Sequence, residues 1–384
     1  MFLHIPQSEL AAQNALWTAK EIEQQPATWL KTQALVASSQ IQAFLQPLLK
    51  RAQAGSLRII FTGAGTSAFI GGVVAPILSQ QLGFVVEAIA STDLVSNPTQ
   101  HFFKDKPTLL VSFARSGNSP ESVGAVQLAD ELVDEIYHLA ITNNQNGALS
   151  VKCHDNPTAF ALNLPDETCD KGFAMTSSAS NMMLAALLSF VPNRYDLAWL
   201  QAVCERTEHC LKEEAPAVRE LAKLPVERVV YLGSGHFAPL AQEAALKILE
   251  LTAGQRLAVY DSPMGFRHGP KSLVQGETLI LVMTSQNAYT SRYEDDLYQE
   301  LVRDQKAKKV VAIGASTSGA IPADFCKNHL DDAGRIFLYL TLAQCYAFYS
   351  SFELGYTTDN PCPTGEVNRV VQGVTLYPFS NNND

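Results

Sequence analysis

The sequence predicts an α/β protein: a helical lead-in, then two copies of a doubly wound parallel-sheet domain in pseudo-twofold repeat. Three observations carry that prediction. First, 384 residues that are 47% hydrophobic and only 17% charged suffice for two or three domains with large cores. Second, from Gly55 onward apolar β-rich runs of a few residues alternate with helical stretches, the pattern of a parallel sheet covered by helices. Third, the segment RIIFTGAGTSAFI at 58–70 aligns without gaps on RVVYLGSGHFAPL at 228–240, an offset of 228 − 58 = 170. The same offset lays TLLVSFARS (108–116) on TLILVMTSQ (278–286). A shared offset across two strand-and-turn units marks a duplicated domain.

Taken in order, residues 9–50 show apolar side chains at helical spacing through Leu16, Ile22, Trp29, Leu35, Ile41 and Leu45, with Pro26 opening a new segment. Strands are expected at 58–62, 85–90, 108–113, 136–141, 228–232, 256–260, 278–284 and 309–313. A polar helical stretch near 196–223 reads as the connection between the two sets. The tail 380–384 (SNNND) is expected to fray. The expected division is a helical segment 1–52, a first domain 53–200 that binds an anion, and a second domain 201–384 that carries a catalytic helix and a histidine loop.

Charge excludes some functions. Lysine plus arginine number 28 against 38 acids, a net charge of −10, which argues against nucleic acid as a partner. It does not forbid a phosphorylated substrate, since helix N-termini and one arginine make a locally positive pocket. The start MFLHIPQSEL lacks a basic region followed by an apolar core, and no apolar run reaches membrane-spanning length. The seven cysteines are odd in number and form no C-x-x-C pair, and the eight histidines show no ligand spacing. The expectation is a cytoplasmic protein with packing thiols, no metal and no cofactor.

Two loops in the first copy point to an anion. Strand 58–62 runs into Gly63-Ala64-Gly65-Thr66-Ser67 and then a helix, where glycines permit close backbone approach and the helix dipole favours negative charge. Alone, this loop also reads as a tight βα turn with Thr66 and Ser67 as caps, and the dinucleotide fingerprint is not completed. The strand from 108 ends in Ala114-Arg115-Ser116-Gly117-Asn118-Ser119-Pro120. There Ser119 suits an N-cap and Pro120 the first helical position. Hydroxyls, amides and Arg115 thus converge at the carboxyl ends of neighbouring strands, where open α/β sheets bind ligands. The alternative is a capped helix beside a solvated arginine. In the second copy Thr66-Ser67 becomes His236-Phe237 and Arg115-Ser116-Gly117 becomes Ser285-Gln286-Asn287, so this chemistry is lost.

The second copy carries something else. In the helix expected at 239–252, Glu243, Lys247 and Glu250 fall on one face of an otherwise apolar segment. The stripe faces either water, as an i,i+4 ion pair, or a cleft, where a partly buried glutamate suits general-base work. Downstream, the loop from Asp261 to Lys271 displays Arg267, His268 and Lys271 between prolines and glycines. A histidine there is either structural or a proton shuttle.

Together these motifs resemble the SIS (sugar isomerase) superfamily, in particular its two-SIS-domain aldose–ketose isomerases related to the isomerase half of glucosamine-6-phosphate synthase. They are K-E-I-x-x-Q-P at Lys20–Pro26, G-x-G-T-S at Gly63–Ser67, R-S-G-N-S at Arg115–Ser119, E-x-x-x-K-x-x-E at Glu243–Glu250 and H-G-P at His268–Pro270. Within that group the chain is similar to the AgaS type, the tagatose-6-phosphate ketose/aldose isomerases or galactosamine-6-phosphate deaminase/isomerases. The resemblance implies a hexose or hexosamine 6-phosphate as ligand, held by Thr66, Ser67, Ser116 and Ser119; the reading of the two loops adds Gly65, Gly117 and Arg115 to that site. It implies Glu250 as the base between C1 and C2, with Lys247 and Glu243 beside it, and His268 for ring opening, reaching in from a neighbouring subunit of a homodimer. Relatives also bring a C-terminal lysine into the site; alignment puts Gln372 there, with Arg369 as a substitute. Ala114 and Arg115 depart from the synthase loop S-x-S-G-x-T, so phosphate binding is expected to be rebuilt. With no glutaminase segment ahead of it, the expected direction is deamination of galactosamine 6-phosphate to tagatose 6-phosphate and ammonia. Two rivals stand beside it: isomerisation without loss of nitrogen, and a non-enzymatic sugar-phosphate sensor.

Overall fold

A computed structural model of the chain describes residues 1–371 and 373–379. Among these residues nine parallel strands form two sheets, and all eight expected strands are present. In the first copy these are β1 (Arg58–Thr62), β2 (Val86–Ala88), β3 (Thr108–Ala114), β4 (Ile136–Thr142) and β5 (Ala159–Asn163), in the order β2-β1-β3-β4-β5. In the second they are β6 (Arg228–Gly233), β7 (Leu257–Asp261), β8 (Thr278–Met283) and β9 (Lys309–Ile313), in the order β7-β6-β8-β9. The chain groups into two compact units. One comprises Met1–Leu30, Asp170–Ser180 and Asp196–Gly365; the other comprises Lys31–Cys169, Asn181–Tyr195 and the described residues from Glu366 onward.

The offset of 170 survives as geometry. Arg58 pairs with Thr108, and Arg228 with Thr278, so the central strands of both sheets share one register. The flanking strands drift by two residues: Ile59 lies opposite Val86, whereas Val229 lies opposite Ala258. The strand that the sequence reading missed, β5, is five residues long, sits at the sheet edge beside β4, and is framed by Pro157 and Pro165. Short edge strands carry half a strand's ladder and little of its apolar signal.

Each sheet is covered on both faces. In the first, Ile60, Leu110 and Ala140 point to one side, where they pack with Leu94, Ala125 and Leu149 of covering helices and with Phe102. Their neighbours alternate to the other side, where Phe61 meets Phe113 at 5.4 Å and Phe190 at 5.1 Å between ring centroids. In the second, Val230, Leu232, Ile280 and Val282 pack against Phe266, Leu297 and Leu301. On the opposite face, the helices Phe237–Leu251 and Asp332–Glu353 lie together, with Phe237 and Tyr339 rings 5.4 Å apart. Among the described residues, no helix is long and apolar enough to cross a membrane.

The lead-in consists of four helices, Gln7–Ala12, Leu16–Glu23, Gln25–Ser38 and Ile41–Gln53. Pro26 falls in the first turn of the third, where its missing N–H costs nothing. The Lys20–Pro26 motif is a clasp. Glu21 accepts hydrogen bonds from the amides of Lys171 (2.5 Å) and Gly172 (3.1 Å), and Gln25 bonds Gln344 at 2.8 Å. A Cβ on Gly172 would stand 2.7 Å from Thr18 Oγ1, so only glycine admits this approach.

Candidate active site

In the first copy, β1 ends in a turn that glycine alone can make. A Cβ on Gly63 would lie 2.5 Å from Ser67 Cβ, and Gly65 sits at φ +56°. The chain then enters the helix Thr66–Leu82, with Thr66 and Ser67 buried in its first turn. Beside it, β3 runs through Ala114 into Arg115 and the loop Ser116–Ser119, which turns at Gly117 with φ +66°. Ser119 is the N-cap and Pro120 the first residue of the helix Pro120–Leu132, as expected. The chain leaves β1 toward β2 on one side and β3 on the other. Both loops therefore hang at the topological switch point, where doubly wound sheets bind ligands.

The second loop is braced from below. Ser116 Oγ accepts the Asn118 amide at 3.2 Å, the Ser116 carbonyl accepts from Asn144 Nδ2 at 2.8 Å, and Asn118 Oδ1 accepts the Ala148 amide at 2.8 Å. Arg115 is only 7% exposed, and its Nη2 donates to the carbonyl of Arg369 at 2.8 Å. It is a buried cation anchoring the C-terminal segment rather than a solvated arm. Arg369 itself contributes that carbonyl and is exposed; Gln372 and residues 380–384 lie outside the described residues.

In the second copy the helix begins at Phe237, two residues before the expected 239, and runs to Leu251. Its charged stripe does not face water. Glu243 and Lys247 are 0% and 1% exposed, Lys247 Nζ lies 3.3 Å from Glu243 Oε1, and it also pairs with Glu250, which is 23% exposed. Burial alone would push the Lys247 pKa down, but the two carboxylates outweigh it and hold the lysine above its ordinary value. The row is thus two enclosed charges with Glu250 as the member that reaches toward solvent.

The loop after β7 forms the short helix Pro263–Phe266 and a turn through Gly269 at φ +122°. Arg267 and Lys271, expected as displayed cations, are instead tied down: both pair with Glu300, and Lys271 also with Asp304 at 2.7 Å. His268 is left exposed between them, its amide bonded to the Gly265 carbonyl at 2.8 Å.

The second copy's counterpart of the anion loops is filled by the chain's own carboxylates, which the sequence reading did not foresee. Asp332 accepts the Gln286 amide at 2.6 Å and the Ser285 hydroxyl at 2.5 Å, and Glu294 accepts the Ser285 amide at 2.9 Å. Burial pushes Glu294 up to about 7 against the hydrogen bonds from Ser285 and Ser234. The signal available was Asp331-Asp332 immediately ahead of the long apolar helix, an N-cap pattern.

Paired parallel sheets of this order, each with a G-x-G turn at its switch point, are those of an SIS-domain protein, and the SIS domain family model matches residues 53–192. The likeness runs the length of the chain. It is 47% identical to the D-galactosamine-6-phosphate deaminase AgaS of Shewanella sp. (strain ANA-3), over 97% of this chain and 94% of that one. The crystal structure of tagatose-6-phosphate ketose/aldose isomerase from Escherichia coli superposes with a TM-score of 0.88 at 43% identity, covering 94% of this chain and 96% of that one. Glucosamine-6-phosphate deaminase from Thermotoga maritima shares the fold, with a TM-score of 0.67 at 20% identity over 92% and 99% of the two chains. The chain belongs to the AgaS family of SIS-domain proteins.

Proposed function

We propose that this chain is a deaminating aldose–ketose isomerase that converts D-galactosamine 6-phosphate to D-tagatose 6-phosphate and ammonia. The observation that carries the reading is the enclosed row Glu243–Lys247–Glu250. A helix gains no stability from burying a carboxylate and an ammonium together. It does gain a carboxylate held at a fixed place and ready to take a proton. The names of the relatives supply the substrate, an amino-hexose 6-phosphate.

In this reading the first copy (53–200) binds and the second (201–384) reacts, with 1–52 as the helical segment. The amides and hydroxyls of Gly65, Thr66, Ser67, Ser116, Gly117 and Ser119 hold the phosphate, and the buried charge of Arg115 offsets it. His268 opens the sugar ring. It serves from the surface of one protomer of a homodimer, which suits its exposure beside anchored neighbours. Glu250 then takes the proton from C2, forming an enolamine, and returns it to C1, leaving an imine at C2. Water adds to the imine and ammonia departs, so one substrate and one water give one ketose phosphate and one ammonia. Lys247 holds Glu250 in place through their ion pair, and Glu243 balances the buried ammonium. Arg369 fixes Arg115 through its carbonyl.

A second reading, isomerisation without release of nitrogen, is favoured by the name of the Escherichia coli structure. One experiment separates them: hexose and hexosamine 6-phosphates are supplied in turn, and ammonia and ketose are read together. Ammonia from galactosamine 6-phosphate that vanishes in Glu250→Gln, with binding retained, is the expected result. Full turnover in Glu250→Gln overturns the assignment of the base. Ketose without ammonia moves the chain to the second reading.

A further inference from the structure

Away from these residues, three departures from ordinary backbone and packing meet at one point. The helix Leu197–His209 continues into a π-helical turn, Cys210–Glu214, and such turns are rare and concentrate at functional sites. Cys326 sits at φ +57°, a left-handed conformation that a non-glycine residue holds only where its surroundings enforce it. The π turn and the strained cysteine face each other: Cys210 Sγ and Cys326 Sγ are 3.5 Å apart and both residues are buried. Glu214 completes the group, with Oε2 3.9 Å from Cys210 Sγ and all three ligand atoms within 4.8 Å of one another.

We propose that Cys210, Cys326 and Glu214 form a binding site for a thiophilic divalent metal ion of the zinc class, structural in role and separate from the sugar-phosphate chemistry. The two spacings from Cys210 are close to those of a tetrahedral ligand set. With metal–sulfur bonds of ~2.3 Å and metal–oxygen bonds of ~2.1 Å, a tetrahedron places two sulfurs ~3.8 Å apart and a sulfur and an oxygen ~3.6 Å apart. The observed 3.5 Å and 3.9 Å each differ from these by only a few tenths of an ångström.

The outer shell is also in place. A ligating carboxylate is normally oriented by hydrogen bonds of its own, and Glu214 receives two. The amide of Cys326 donates to Oε2 at 2.6 Å, and Arg206 pairs with Oε1. The same amide thus ties two of the three ligands to each other. Charge closes as well: two thiolates and one carboxylate balance a divalent ion plus the Arg206 guanidinium. Arg206 Nη1 is itself a buried donor with no hydrogen-bond partner among the described residues. No spacing motif could reveal such a site, because the two cysteines are 116 residues apart in sequence.

Both thiols must lose their protons for the metal to bind: two Cys–SH plus M²⁺ give (Cys–S⁻)₂M²⁺ and two H⁺.

The test uses the whole of this 384-residue chain, reduced and stripped with a chelator, then titrated with Co²⁺ and with Zn²⁺. Binding at one equivalent, with thiolate-to-cobalt charge-transfer bands and the intense visible bands of tetrahedral cobalt, is expected. Loss of those bands in Cys210→Ser and in Cys326→Ser, with retention in Cys153→Ser, places the ion. Should the serine variants fail to fold, X-ray absorption of the zinc-loaded wild type decides: two sulfur neighbours at ~2.3 Å support the site. An oxygen- and nitrogen-only shell, a cobalt spectrum without sulfur bands, or bands unchanged in both serine variants overturns it. Closure of the pair to a disulfide under air, with no metal uptake when reduced, overturns it equally.

Discussion

Lys247 Nζ lies 3.3 Å from Glu243 Oε1 with neither side chain more than 1% exposed, and the same ammonium holds Glu250 at the edge of that enclosure. Removing one member of a buried ion pair strands its partner, which costs ~3–5 kcal/mol, whereas replacing both by apolar groups is often neutral or better. Lys247→Met should therefore lower stability by about that amount in urea denaturation. The double variant Lys247→Met/Glu243→Leu should regain most of it, yet neither should turn over substrate. A double variant that stays as unstable as the single one would show that the pair is not the unit described.

The two copies offer an internal control for the anion site. A Cβ on Gly63 would stand 2.5 Å from Ser67 Cβ, and one on Gly233 would stand 2.4 Å from the Phe237 carbonyl oxygen. Both Gly→Ala changes push a strand end against the start of its helix, and overpacking of this kind costs ~1–3 kcal/mol. Only the first disturbs the amides proposed to hold phosphate. Gly63→Ala should raise KM for the sugar phosphate by at least about tenfold, ~1.4 kcal/mol of binding. Gly233→Ala should be destabilised alike with KM unchanged. Equal effects on KM would remove the distinction between the copies.

That distinction was readable in the sequence because it rests on short-range facts. A strand, a G-x-G turn and a capped helix occupy adjacent residues, and the repeat offset of 170 reappears as the shared register of Arg58 with Thr108 and Arg228 with Thr278. Helical spacing likewise put Glu243, Lys247 and Glu250 on one face, although it left open whether that face met water. What stayed hidden depends on residues far apart in the chain. Glu21 meets the Lys171 amide across 150 positions, and Cys210 meets Cys326 across 116. Arg115 looked like a free counter-charge because nothing local reveals that the Arg369 carbonyl binds it. The carboxylates of Asp332 and Glu294 in the second copy escaped for the same reason. Loss of Thr66-Ser67 and Arg115 from the repeat was visible, but what replaced the anion was not.

The Glu21 clasp sets a pH dependence whose sign can be worked through. Burial, with the charges of Asp170 and Asp359 nearby, pushes Glu21 up to about 8 from 4.5, against the lowering effect of the Lys171 and Gly172 amides. The folded protein thus keeps a proton there that the unfolded chain has released between those two values. A group of this kind contributes stability that is fully present below pH 4.5 and is lost as pH rises toward 8, at up to ~1.4 kcal/mol per pH unit. Glu294, at about 7, acts in the same direction over the lower part of that window. Comparison with Glu21→Gln isolates the clasp, since the amide cannot ionise while Glu294 remains. Urea midpoints of the wild type should fall from pH 5 to pH 8 more steeply than those of Glu21→Gln. The variant should match the wild type near pH 4 and exceed it at pH 9. Parallel midpoint curves for the two proteins across that range would show that Glu21 is ionised in the folded state, and that the clasp is held by its carboxylate.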